Sequence, residues 1–298
     1  MADFSLSVTC LSSAIAGSLS RLLLHPVDTL KAKLQVQKSS ASPQFTSLSS
    51  AFRYTLQQEG LKGLYRGLSF SIAGSLPAVT LYFSSYELGK NLLLAYPRIN
   101  DSPFLAYLAG GLIAETCACV IFVPIDVVKE RLQVQSNLKL YSYRGGFDAI
   151  RQILATEGFF GIYKAYGATV GSFGPFSALY FLFYESLKKR TAAGEQIGFG
   201  ASLLCSGIAG SLASWLTSPL DLAKLRMQVV RSAKAHGVTP HFQYRHLLHG
   251  IYSIATQEGP AALFKGAFAR VLFHTPNTAL VMSLLELLRP RVSHLLSS

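Results

Sequence analysis

Acidic residues are scarce in this 298-residue chain: 15 aspartates and glutamates stand against 27 lysines and arginines, a formal net charge of +12. Charge of either sign is thin, at 14% of residues, which is low for a soluble globular protein. The excess of base admits two partners, nucleic acid or anionic lipid. No nucleic-acid motif accompanies it, and the basic residues fall mainly between apolar segments, which favours lipid. Cysteine is also sparse. Cys10, Cys117, Cys119 and Cys205 follow neither a disulfide framework nor a zinc spacing. Cys117 and Cys119 would face different sides of a helix and read as small packing residues. The first residues, Met1-Ala2-Asp3-Phe4-Ser5, carry no basic or arginine-rich leader, so targeting information is expected to be internal. No nucleophile–base pair and no set of metal ligands lies inside the apolar segments. An enzyme therefore finds no support, and no cofactor is expected.

What the chain has in quantity is apolar length. Half its residues are hydrophobic and the mean hydropathy is +0.34, which suits a membrane protein with a polar interior and basic loops. Residues 6–24 carry one charge, Arg21, and a small-xxx-small pair, Ser13 and Gly17. Such a stretch can cross a bilayer and pack closely against another helix.

The apolar stretches repeat. Pro26-Val27-Asp28-Thr29-Leu30-Lys31, running on to Gln35, occurs again as Pro124-Ile125-Asp126-Val127-Val128-Lys129 to Gln133. It occurs a third time as Pro219-Leu220-Asp221-Leu222-Ala223-Lys224 to Gln228, with prolines 98 and 95 residues apart. A period near 100 residues is too long for common solenoids and points to a three-part, pseudo-symmetric body. Each proline should kink its helix. A short amphipathic surface helix is expected after each motif, near 47–58, 146–156 and 246–257. Each ends in Glu-Gly (Glu59, Glu157, Glu258), followed by Tyr65-Arg66-Gly67, Tyr163-Lys164-Ala165 or Phe264-Lys265-Gly266.

The second helix of each repeat keeps strict register. From Gly67, Ala165 and Gly266, a proline falls ten residues on (Pro77, Pro175, Pro276). An acid falls twenty on (Glu87, Glu185, Glu286) and a base three beyond it (Lys90, Lys188, Arg289). The expected fold is an all-α membrane protein, one domain over 1–298, with six transmembrane helices in three tandem repeats (1–97, 98–195, 196–298). Both termini should lie opposite the long loops.

On these motifs the sequence resembles the mitochondrial carrier family over nearly its whole length. The departures are Ala165, where the family has glycine, and Leu285, where it has an aromatic. The resemblance implies a matrix gate of cross-repeat ion pairs, Asp28–Lys129, Asp126–Lys224 and Asp221–Lys31, braced by Gln35, Gln133 and Gln228. It implies a cytoplasmic gate of Glu87–Lys188, Glu185–Arg289 and Glu286–Lys90, braced by Tyr86 and Tyr184. Two gates on opposite sides of one site are what alternating access needs. The matrix gate has the fuller set of braces, so the substrate-free protein is expected to rest closed to the matrix.

By the same resemblance, substrate contacts fall at Gly74, Ser75, Ser172, Phe173, Phe273 and His274. None is lysine or arginine, which argues against small polycarboxylates and phosphate. Arg21 and Glu115 project from the first helices of their repeats; they could pair with each other or receive a ligand carrying both charges. Gly67 and Gly266, at helix N-termini, suit a phosphate, and the family implies cardiolipin there. The reading is a monomeric secondary transporter of the mitochondrial inner membrane, with no nucleic-acid partner. Its substrate would be a zwitterionic or cationic metabolite such as S-adenosylmethionine or an amino acid. The alternatives are an iron carrier or a carrier-fold structural subunit. His246 and His249 could share a helical face, but with His236 and His241 they lie in the third loop and read as solvated rather than as metal ligands.

Overall fold

The computed structural model describes residues 6–37, 47–95, 103–138, 142–192, 199–229 and 244–297. The expected repeat borders at 97/98 and 195/196, and the histidines at 236 and 241, lie outside these. All regular structure among the described residues is helical. Repeat one holds α1 (Leu6–Gln35), α2 (Leu48–Leu64) and α3 (Leu68–Leu94). Repeat two holds α4 (Pro103–Leu138), α5 (Gly146–Glu157), α6 (Phe159–Ile162) and α7 (Tyr166–Ala192). Repeat three holds α8 (Phe199–Leu216), α9 (Ser218–Val229), α10 (Leu247–Gln257), a 3-10 turn (Pro260–Phe264) and α11 (Ala267–Ser297).

The long helices pack in chain order, α1 on α3, α3 on α4, α4 on α7, α7 on α8 and α8 on α11, and α11 returns to α1. The result is a closed ring of six spans: α1, α3, α4, α7, the α8–α9 pair and α11. By length and apolarity α1 qualifies whole, α4 from Ala109 onward, and α11 together with the 3-10 turn before it, over Pro260–Leu295. α3 qualifies together with α2 across a 44° bend, and α8 with α9 across a 64° bend. α7, at 27 residues, is long enough to cross a bilayer but is too polar to meet the same measure alone. Such a mixed surface suits a helix that faces a polar interior.

The prolines do not act alike. α1 runs unbroken through Pro26 and α4 through Pro124. Repeat three breaks at Thr217, and Pro219 becomes the second residue of a new helix, where a missing N–H costs nothing. The groups around the break are satisfied. Ser218 Oγ donates to the Ser214 carbonyl at 2.9 Å. The Arg270 guanidinium donates to the same carbonyl at 2.9 Å and to Thr217 Oγ1 at 3.0 Å. The position of Arg270 is occupied by Ser71 and Thr169 in the other repeats, so this support exists once.

The surface helices form where expected. Ser47 caps α2 in a capping box with Ser50. At α5, the Arg144 backbone N–H and the Gln152 amide donate to Asp148, holding its carboxyl below the usual carboxylate range. The Glu-Gly turns need glycine: Gly60, Gly158 and Gly259 have φ of +64°, +74° and +92° with ψ near extended values, a region open essentially to glycine alone. The starts of α3, α7 and α11 are left-handed too, at Gly67 (+82°), Ala165 (+64°) and Gly266 (+79°). Ala165 thus carries a conformation that costs an L-residue roughly 1–2 kcal/mol. The largest core cluster joins α1, α4, α5 and α9 through Val36, Val123, Val127, Leu132, Ile153 and Val229, at the end of the ring that carries the Pro-x-Asp motifs.

Candidate functional site

Within one motif the aspartate and lysine are three residues apart, close enough to meet on a helix. They do not pair with each other. Lys129 Nζ meets Asp28 at 2.9 Å, Lys224 Nζ meets Asp126 at 3.3 Å, and Lys31 Nζ meets Asp221 at 2.7 Å. Each bond joins two repeats, and the three close a cycle around the ring. Gln35 donates to Asp221 and Gln133 to Asp28, both at 3.2 Å. Gln228 turns instead to Thr169 Oγ1 at 3.5 Å, so two of the three glutamines brace a ring acid. Arg270 adds a fourth cation, 3.6 Å from Asp221.

Beneath this ring lies a second tier that sequence reasoning missed. Seven residues after each proline stands a base: Lys33, Arg131 or Arg226. Each is fully buried and pairs with the Glu-Gly acid of its own repeat. Lys33 meets Glu59. Arg131 grips Glu157 with two nitrogens at 2.5 and 3.1 Å. Arg226 grips Glu258 in the same forked manner, a geometry suited to guanidinium and carboxylate. The arginines also reach the next repeat: Arg131 Nε donates to the Gln228 carbonyl at 3.1 Å and Arg226 Nε to the Gln35 carbonyl at 2.9 Å. The signal was the tripled base; the Glu-Gly acid reads first as a helix stop.

The opposite end is different. Glu87 bonds Lys90 of its own helix at 2.6 Å. Among the described residues no ion pair joins Glu87 to Lys188 or Glu185 to Arg289; the side chain of Glu286 lies outside the described residues. Lys90 sits over the Tyr86 ring at 5.6 Å and Lys188 over Tyr184 at 6.0 Å. The Tyr184 hydroxyl shares a hydrogen bond with Ser202. Of the expected cross-repeat pairs whose side chains are both described, the three at the proline end are closed and the two at the tyrosine end are not.

Between the ends, Arg21 and Glu115 do not pair. Arg21 donates to the Ser71 carbonyl at 3.0 Å and hydroxyl at 3.1 Å, and Glu115 receives the Cys119 thiol at 3.7 Å. Ser75 shares a hydrogen bond with Ser18 at 3.2 Å. Gly74 leaves room for Ile125, whose side chain an added Cβ would strike. Ser172 donates to the Thr169 carbonyl, Phe173 lies under Lys224 at 5.7 Å, and His274 packs against Phe176 and Phe273, each at 5.4 Å. On the outer face an open groove of about 1120 Å³ runs between repeats three and one, beside Gly266 and lined by Leu30, Ser47, Phe52, Phe264 and Lys265. Gly67 packs against the Lys129 backbone. His246 caps α10 by accepting the His249 N–H.

Three tandem pairs of long helices, closed into a ring and tied at one end by cross-repeat ion pairs, define a membrane carrier. Residues 3–97, 100–193 and 195–294 each match the family described as mitochondrial carrier protein, and the chain belongs to that family. It is 31% identical to "Mitochondrial substrate carrier family protein E" of Dictyostelium discoideum, over 94% of each chain. It is 30% identical to the "S-adenosylmethionine mitochondrial carrier protein homolog" of Drosophila melanogaster, over 93% of this chain and 89% of that one. To "Mitoferrin-1" of Homo sapiens it is 27% identical, over 95% of this chain and 82% of that one.

Proposed function

We propose that this carrier moves a small organic solute bearing both charges across the mitochondrial inner membrane by alternating access. The observation that carries the proposal is the contrast between the ends: three cross-repeat pairs hold the Asp-Lys ring closed, while the one ion pair described at the other end, Glu87–Lys90, lies within one helix. The Asp-Lys ring is the matrix gate, the Glu-Lys/Arg set is the cytoplasmic gate, and this state opens toward the intermembrane space, where both termini lie. The solute binds between the gates, with Arg21 and Glu115 as its two poles and Ser75, Ser172, Phe173, Phe273 and His274 around it. S-adenosylmethionine and amino acids fit that pair of charges. One relative is named for S-adenosylmethionine. Another is a mitoferrin, but iron would find one histidine here and no thioether beside it. Cardiolipin fits the groove at Gly266 and the equivalent turn at Gly67, where a helix N-terminus and a lysine or arginine meet.

The test is exchange in cardiolipin-containing liposomes with labelled S-adenosylmethionine, amino acids and ferrous iron. Uptake of the first, cut at least ten-fold by Arg21→Gln and by Glu115→Gln in folded protein, is the expected result. Unchanged kinetics in both variants removes the two-pole site, and uptake of iron alone replaces the substrate class.

A further inference from the structure

Glu130 stands alone. It follows Lys129 in α4, one position past the motif, where the other repeats carry Ala32 and Leu225. It is 7% exposed. Its Oε2 is buried with no hydrogen-bond partner among the described residues, and among them no ion pair reaches it. The charged groups that face it are Lys224 from α9 and Lys31 from α1, with Asp126 and Lys129 on its own helix. All three lysines are already committed, each to a ring aspartate at 2.7–3.3 Å. The ring's fourth cation, Arg270, lies 3.6 Å from Asp221, so an ionised carboxylate at Glu130 would be a fourth acid with no base paired to it. Burying such a charge costs several kcal/mol, whereas a protonated carboxyl avoids most of that cost.

We propose that Glu130 is a proton-binding site of the closed ring. It carries a proton while the three Asp–Lys pairs hold, and passes it to water when they part and the carboxyl is hydrated. The O–H bond breaks, water takes the proton, and the carboxylate keeps the electron pair. Each opening and closing of the ring then releases and takes up one proton, so alkaline conditions on that side favour the open ring. The inference rests on the gate reading above for its coupling, though not for the protonation itself.

Infrared spectroscopy of the protein in liposomes tests it, from about pH 5 to about pH 9. At neutral pH a protonated-carboxyl C=O band is expected that shifts with 13C-glutamate labelling and is absent from Glu130→Gln. The labelling needs no substitution, so it reads out even if that variant does not fold. In a ring-opened variant, Lys31→Gln with Lys129→Gln, the band should disappear at neutral pH. No glutamate band in the native protein overturns the proton site and leaves the gate untouched. A band of equal strength in both overturns the coupling and shows that the ring does not control access to Glu130.

Discussion

The two ends of the helix ring use the same materials, an acid and a base three residues apart on each of three helices, and arrive at opposite arrangements. At the proline end every lysine reaches across to another repeat. At the tyrosine end Glu87 folds back on Lys90. Spacing within a helix does not explain this, because it is identical. The surroundings do. The Asp-Lys ring rests on a tier of ion pairs whose bases are fully buried and on a core of valines and leucines that locks three repeats together. Glu185 and Lys188 are instead exposed. An ion pair in water is worth about 0–1 kcal/mol, too little to hold helices together without such support.

The contrast can be broken most severely at the lower tier. Glu157→Ala strands Arg131, a fully buried guanidinium, and should cost about 3–5 kcal/mol; a large fall in the thermal unfolding midpoint of purified protein is the check, and a fall no greater than for a surface substitution would mean the tier is not structural. Next, Asp126→Asn and Glu185→Gln compare the ends directly. The first removes a cross-repeat pair and should lower the midpoint clearly, while the second should stay within about 0.5 kcal/mol. Equal effects would erase the distinction. The smallest change sharpens it. Ala165→Gly relieves the left-handed alanine and should stabilise the start of α7 by about 1 kcal/mol, seen as slower amide exchange there; the reverse substitution Gly67→Ala should destabilise, because the added Cβ also meets the Lys129 backbone at 3.2 Å.

Much of this was legible from the chain. Three prolines about a hundred residues apart, and the strict register counted from Gly67, Ala165 and Gly266, carry the six-span ring and the positions of the surface helices. The partner of each aspartate was not legible from spacing, since its own helix offers a lysine; only resemblance pointed across repeats. The Glu-Gly acids were seen and given a lesser role, because each meets its base across a loop, 26 residues away in repeats one and two and 32 in repeat three. What triplication hides altogether is the residue that occurs once. Arg270 and Glu130 have no counterparts, so a search for threefold patterns passes over them. Spacing also left open whether Arg21 and Glu115 meet each other; they do not, and Ser71 takes both of the described Arg21 bonds.

The break at Thr217 has a mechanical meaning. α9 is 12 residues long, about 18 Å of rigid rod at 1.5 Å per residue, and it is jointed to α8 where α1 and α4 are continuous. Turning that rod by about 10° sweeps its far end, at Gln228, through about 3 Å, roughly the length of one of its hydrogen bonds. Repeat three thus resembles a latch on a hinge between two fixed posts, with Arg270 as the pin.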